Sequence, residues 1–176
     1  MKAAIILENG FEDIEALGCK DILNRGGVEV TLFGSEKVVK TSHSTNVIVD
    51  ELINDNIKEY DIIILPGGIP GTYNLRDDKR IINYLTYFNN KNKLIAAICA
   101  APIVLKLSGV LENKLATVYP DKEFVEILGS NYVDKKVHID KNIITACGAG
   151  QTFNFSFEIL RQLGINPENI KKSMQI

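Results

Sequence analysis

Leu94-Ile95-Ala96-Ala97-Ile98-Cys99-Ala100-Ala101-Pro102 is the stretch that decides the fold. Five consecutive apolar residues run straight into a thiol. Small residues follow, then a proline, then the helical-looking Ile103-Val104-Leu105-Lys106-Leu107. The pattern predicts a buried strand, a sharp turn carrying Cys99, and a helix. A side chain on such a turn is lifted clear of the sheet into the crevice above the strand ends. The helix N-terminus behind it favours thiolate over thiol. Small residues at Ala97 and Ala101 let the turn pack tightly under its nucleophile. The motif lacks the glycines of a hydrolase elbow, and a free cysteine also serves as a small buried hydrophobe.

Outward from that stretch, strands and helices alternate. Lys2–Leu7, Val28–Phe33, Asp61–Leu65, Lys93–Ile98 and Leu115–Val118 read as strands. Glu12–Arg25 reads as a helix with Ile14, Leu17, Ile22 and Leu23 as its apolar stripe, ended by Gly26-Gly27. Asp78–Asn89, Asp121–Leu128 and Gln151–Leu163 read as further helices. Val38–Lys40 with Asn46–Asp50 suggests a hairpin outside the main sheet, and Val137–Ile139 with Ile143–Ala146 a second hairpin. Strands linked by helices imply an α/β fold: a doubly wound, mostly parallel sheet with helices on both faces. No repeat or linker divides residues 1–176, so a single domain is expected.

Composition narrows the function classes. Of 176 residues, 45% are hydrophobic and 24% charged, with a formal net charge of -2. That balance gives no basic footprint for nucleic acid or an acidic membrane surface. The opening apolar run is too short for a signal peptide, and no segment approaches a membrane span. Three widely spaced cysteines, Cys19, Cys99 and Cys147, form neither a disulfide framework nor a zinc-ligand pattern. A reducing cytoplasm suits them. No metal or cofactor is expected.

In a sheet of this kind ligands bind beyond the carboxyl ends of the strands. Three loops should meet there: Glu8-Asn9-Gly10-Phe11-Glu12-Asp13-Ile14-Glu15, Pro66-Gly67-Gly68, and the Cys99 turn. The glycine pair can bring bare backbone N–H groups to a ligand, or can be a tight turn and no more. Glu12, Asp13 and Glu15 suit a helix N-terminus, and one of them turned into the crevice could act as a base with a raised pKa.

These segments, with Gly148-Ala149-Gly150-Gln151-Thr152-Phe153 near the end, resemble the DJ-1/ThiJ/PfpI superfamily, and its DJ-1-like branch above all. The resemblance covers essentially the whole chain. It implies a flavodoxin-like fold and a homodimer. It implies that Cys99 is the reactive thiol, Glu15 the carboxyl beside it, and the N–H groups of Gly68 and Ala100 the oxyanion donors. The activities it implies are glutathione-independent glyoxalase or deglycase chemistry on small 2-oxoaldehydes, peroxide sensing through cysteine oxidation, or chaperone-like holding. The expected partner is thus a small reactive aldehyde or a peroxide.

Two departures bear on the branch. Ala100 stands where the peptidase branch carries histidine, which argues against peptidase activity. Tyr119-Pro120 stands where many DJ-1-like members carry histidine before proline; Tyr119 can donate a hydrogen bond but supplies no imidazolium. Tyr119, His43 and Cys147 are accessory candidates. His43 lies in the outer hairpin, where it could approach a partner subunit's site. Cys147 could resolve an oxidised Cys99 or be a passive thiol near a strand end. His138 is expected at the surface and Cys19 in the core.

Overall fold

The computed structural model describes all of residues 1–176. In chain order the elements are β1 (Lys2–Leu7), α1 (Asp13–Arg25), β2 (Glu29–Gly34), β3 (Val38–Lys40), β4 (Asn46–Ile48), β5 (Glu51–Leu52), β6 (Ile62–Leu65), α2 (Gly71–Asp77), α3 (Lys79–Asn90), β7 (Leu94–Ile98), α4 (Pro102–Leu107), α5 (Lys122–Leu128), β8 (Val137–Asp140), β9 (Ile143–Ala146), α6 (Thr152–Gln162) and α7 (Glu168–Ser173).

Seven strands form one sheet in the order β5-β2-β1-β6-β7-β9-β8. Every neighbouring pair is parallel except β8–β9. The central strands β1, β6 and β7 are apolar on both faces, because a parallel sheet is covered on both sides. One core holds Ile81, Leu85 and Phe88 of α3 with Ile103–Leu105 of α4 and Phe124 of α5. The other holds Cys19, Ile22 and Leu23 of α1 with Phe155, Ile159 and Leu160 of α6. β1 has β2 on one side and β6 on the other, so the winding direction reverses at β1. The crevice opened by that reversal lies at the strands' carboxyl ends.

Three expectations need correction. Leu115–Val118 is not a sheet strand. Its donors are captured elsewhere: Leu115 N–H by Asp140 Oδ2, Ala116 N–H by the Asn131 carbonyl, and Thr117 N–H by Thr145 Oγ1. Only an isolated bridge from Ala116 to Tyr132 forms, and β8 takes the sheet edge beside β9. Second, Ile14 and Leu17 of α1 do not face the core; they are 45% and 36% exposed, and the buried stripe is Glu15, Ala16, Cys19, Ile22 and Leu23. A carboxyl group, Glu15, thus turns inward from the first turn of α1 while its apolar neighbours Ile14 and Leu17 turn outward. Third, His138 is half-buried rather than at the surface, with Nε2 buried and unpartnered; burial, then Lys135, pushes its pKa down.

The short elements β5, α2 and α7 carried no periodic signal. α7 buries only Ile170, and α2 follows Pro70 with a mostly polar sequence around Leu75. The β3–β4 ribbon stands outside the sheet, and its turn is tied to the loop after β1. Gly10 N–H donates to the Lys40 carbonyl at 2.7 Å, and Ser42 N–H to the Phe11 carbonyl at 2.8 Å.

Candidate active site

Cys99 is the first residue past β7 and sits at φ +62°, in the left-handed region that an L side chain seldom adopts. Strand β9 and the segment before α5 hold it there. Its N–H donates to the Ala146 carbonyl at 2.8 Å, and its carbonyl accepts from Tyr119 N–H at 2.7 Å. Ala97 and Ala101 are fully buried beneath the turn, and Pro102 opens α4 at a position where no donor is missed. The backbone turn projects the sulfur towards the α1 side of the sheet, where it packs against that core.

Glu15, in the first turn of α1, is fully buried. Its Oε2 accepts the Gly67 N–H at 2.7 Å, and its Oε1 is buried with no well-formed partner. Gly67 is squeezed between the two functional groups. A Cβ there would lie 2.7 Å from Cys99 Cβ and 2.9 Å from Glu15 Oε2, so only glycine fits. Gly68, at φ +88°, presses its α-carbon on the backbone of Gly10 and Glu12. This close approach locks the second loop onto the first. The N–H groups of Gly68 and Ala100 act on the Cys99 thiol, each pulling its pKa down.

The electrostatics follow from burial. Burial pushes the Glu15 carboxyl up to about 7, against the opposing pull of the Gly67 N–H and the Cys99 thiol. Burial also pushes the Cys99 thiol up, to about 12, with the Glu15 charge and hydrogen bond adding to the rise and the Ala100 and Gly68 N–H groups opposing it. The expected lowering by the helix terminus therefore does not prevail, since desolvation and a facing carboxylate outweigh it. Relief comes through Glu15: once that carboxyl takes a proton, both of its contributions to the thiol vanish.

The remaining candidates are spread around this pair. The Tyr119 ring is 48% exposed beside the Cys99 turn and lies against Gly148, whose added Cβ would meet its Cδ2 at 3.4 Å. His43 is held at the N-terminus of its own α1. Its Nδ1 lies 3.0 Å from Asp13 Oδ2 and 3.6 Å from Glu12 Oε2, and the Asp13 hydrogen bond raises its pKa. Those three residues are the one group with donor atoms close enough, within 4.8 Å of one another, to hold a metal ion, and the charge of Glu12 adds to the rise of the Glu15 pKa.

Cys147 is half-buried just past β9. Tyr132, which belongs to the other core, has a phenol raised by burial and, in part, by the charges of Asp134 and Cys147. Cys19 is fully buried, and burial raises its thiol to about 12. A surface depression of about 340 Å³ between β8, α6 and α7 lies away from Cys99. Its Arg161 and Lys171 are already paired with Glu158 and Glu168.

Fold and site together define an α/β protein with a cysteine on a strained turn and a buried glutamate beside it. The chain belongs to the DJ-1/PfpI family, whose pattern matches residues 1–162. It is 37% identical over 166 residues to Protein DJ-1alpha of Drosophila melanogaster, covering 92% of this chain and 76% of that one. Protein DJ-1 homolog A of Arabidopsis thaliana is 36% identical over 166 residues, and the match spans 90% of this chain and 42% of that longer protein. Glutathione-independent glyoxalase DJR-1.2 of Caenorhabditis elegans is 34% identical over 166 residues, 92% of this chain and 89% of that one. The crystal structure of Drosophila melanogaster DJ-1beta is similar to this fold with a TM-score of 0.93 at 31% identity, covering 99% of this chain and 97% of that one. No helix is long and apolar enough to cross a membrane.

Proposed function

We propose that the protein is a cysteine-dependent glyoxalase that converts small 2-oxoaldehydes to 2-hydroxy acids without glutathione. The observation that carries this reading is the buried Glu15 carboxyl, raised to about 7, beside a thiol raised by the same carboxylate. A base with a pKa near the working pH is suited to passing one proton back and forth.

The Cys99 sulfur attacks the aldehyde carbon as Glu15 accepts the thiol proton. Glu15 returns that proton to the new alkoxide, giving a hemithioacetal. The Gly68 and Ala100 N–H groups are directed at the developing oxyanion. Glu15 then removes the hydrogen from the former aldehyde carbon and delivers it to the adjacent carbonyl carbon. The hydroxyl proton passes to the ketone oxygen, so the former aldehyde carbon becomes a thioester carbonyl and the ketone an alcohol, and no external oxidant or reductant is needed. Water attacks the thioester, the C–S bond breaks, and the thiol regains its proton. The same Cys–Glu pair suits deglycase-type removal of an aldehyde adduct, and the relative named a glutathione-independent glyoxalase supports the aldehyde chemistry.

A second reading draws on the same N–H groups. Donors that hold an oxyanion also hold a sulfinate, so Cys99 can serve as an oxidation sensor. The functional unit in either reading is a homodimer acting in the cytoplasm on an aldehyde or peroxide. Lactate production from methylglyoxal without glutathione, by wild type and Cys99→Ser, decides the main reading. Turnover by wild type and none by the variant is the expected result, and no turnover by either refutes it.

A further inference from the structure

We infer that the site selects uncharged electrophiles carrying an apolar, preferably aryl, substituent, and that Tyr119 is the residue that sets this preference. The aldehyde part of this inference rests on the glyoxalase reading; the ligand class rests on the site itself.

Charge is the first argument. Besides burial, the groups that act on Glu15 are the Gly67 N–H, the Cys99 thiol and Glu12, and those that act on Cys99 are Glu15 and the Ala100 and Gly68 N–H groups. Glu12 is fixed next to the Gly67–Gly68 loop, its N–H donating to the Gly67 carbonyl at 3.0 Å, and its charge is felt by Glu15. Asp13 stands beside it, and His43 is the single cationic group that offsets the two. A substrate with a carboxylate or phosphate would approach an acidic rim whose one imidazole is already engaged by Asp13 and Glu12. One unit of like charge held within several ångströms in a partly desolvated site is enough to slow approach by about tenfold.

Shape is the second argument. Exposed apolar side chains stand on two of the loops that build the site. Ile69 follows Gly68 and is 44% exposed; Tyr119 is anchored to the Cys99 carbonyl through its own N–H and is 48% exposed. The Tyr119 ring rests against Gly148, where the missing side chain leaves it a flat seat. A flat substituent attached to the reacting carbonyl can stack on such a ring, which favours aryl over short alkyl groups by offset stacking and apolar contact.

The test uses the thiol directly, so it does not depend on turnover. Cys99 alkylation by iodoacetamide and by iodoacetate is followed by peptide mapping at about pH 8, in the folded chain and in the chain unfolded in urea. The amide-to-acid rate ratio is expected to be about tenfold higher in the folded chain. An equal ratio in both states overturns the charge argument. N-phenylmaleimide should outpace N-ethylmaleimide at Cys99, with the preference lost in Tyr119→Ala and kept in Tyr119→Phe. A preference unchanged in Tyr119→Ala overturns the role of the ring.

With aldehydes, the phenylglyoxal-to-methylglyoxal ratio of kcat/KM should fall about tenfold in Tyr119→Ala, mainly through KM. If neither aldehyde is turned over while both reagent preferences hold, the glyoxalase reading fails and the ligand class stands.

Discussion

Beyond the burial that raises both groups, the Glu15 carboxylate pushes the Cys99 thiol up, while the thiol's hydrogen bond pulls the carboxyl down. The two groups therefore compete for a single proton at neutral pH. Ionising both would place two anions side by side without a cation. Moving the proton from sulfur to carboxyl creates the nucleophile and removes the charge that opposed it.

The first prediction concerns stability. Glu15 rises from an ordinary 4.5 to about 7 in the folded chain. The native state thus holds this proton more tightly than the unfolded state does. The neutral carboxyl is tolerated in full below about pH 4.5, and stability is lost as pH rises towards 7. Glu15→Gln removes the charged form. The variant should be more stable than wild type at pH 8 by about 2–3 kcal/mol, with the gap closing near pH 4. Urea melts at the two pH values measure this. A variant less stable than wild type at pH 8 contradicts it.

The second prediction is the pH profile of the reaction. Sulfur attack needs the carboxylate form of Glu15 to accept the thiol proton. The kcat/KM for methylglyoxal should therefore climb with pH through an apparent pKa near 7, the value for Glu15. Glu15→Gln should lose at least about a hundredfold in kcat, in the range typical of general acid–base catalysis. A profile flat from pH 5.5 to 8.5 would remove Glu15 from proton transfer.

The third prediction isolates Gly67. An added methyl would sit 2.7 Å from Cys99 Cβ, 2.9 Å from Glu15 Oε2 and 3.0 Å from the Ile98 carbonyl. Two of these are backbone or first-carbon positions that cannot swing away. Gly67→Ala should destabilise the fold by about 1–3 kcal/mol and force the pair apart. Activity should drop at least tenfold, about 1.4 kcal/mol or more in the barrier. A fully active, equally stable Gly67→Ala protein would show that the pair tolerates wider spacing.

The sequence revealed the sheet strands around the site because β1, β6 and β7 are unbroken apolar runs ending at punctuating residues. It revealed Cys99, since five apolar residues leading into a thiol and a proline leave little room for anything but a turn. Glu15 was harder. Periodicity placed Ile14 and Leu17 on the inward face, yet the helix turns Glu15 inward, because the Gly67 N–H supplies the hydrogen bond that a buried carboxyl needs. That partnership spans 52 residues of chain and no local pattern encodes it. Leu115–Val118 failed for a related reason: an extended apolar segment looks like a strand whether its donors meet a ladder or the side chains of Asp140 and Thr145.

The fourth prediction concerns oxidation. The N–H groups of Gly68 and Ala100 act on the partly accessible Cys99 thiol, whereas Cys19 is fully buried. Mild peroxide should carry Cys99 to sulfinate while both other thiols stay reduced. Mass spectrometry of digested protein reads the three sites separately. A Cys99–Cys147 disulfide as the main product would contradict this prediction and make Cys147 a resolving thiol.

The last prediction is assembly. Ile14 and Leu17 lie nearly one turn apart on the outer face of α1, exposed by 45% and 36%, and Phe153 of α6 is exposed by 41%. Gly18 lies between them. An added Cβ there would touch Thr152 Cγ2 at 3.2 Å, Ile14 Cγ1 at 3.6 Å and Phe153 Cε1 at 3.8 Å, so the three apolar side chains form one continuous surface. A contiguous apolar patch on the solvent-facing side of α1 is suited to contact with a second copy. A two-fold axis through it would give an isologous dimer with each Glu15 one residue behind the interface. Sedimentation at micromolar protein should show a two-subunit mass. Leu17→Glu places like charges face to face in that contact and should weaken association at least about a hundredfold, leaving a folded monomer by circular dichroism. A dimer unaffected by Leu17→Glu would place the interface elsewhere, and a wild-type monomer with full activity would show that the site is complete within one chain.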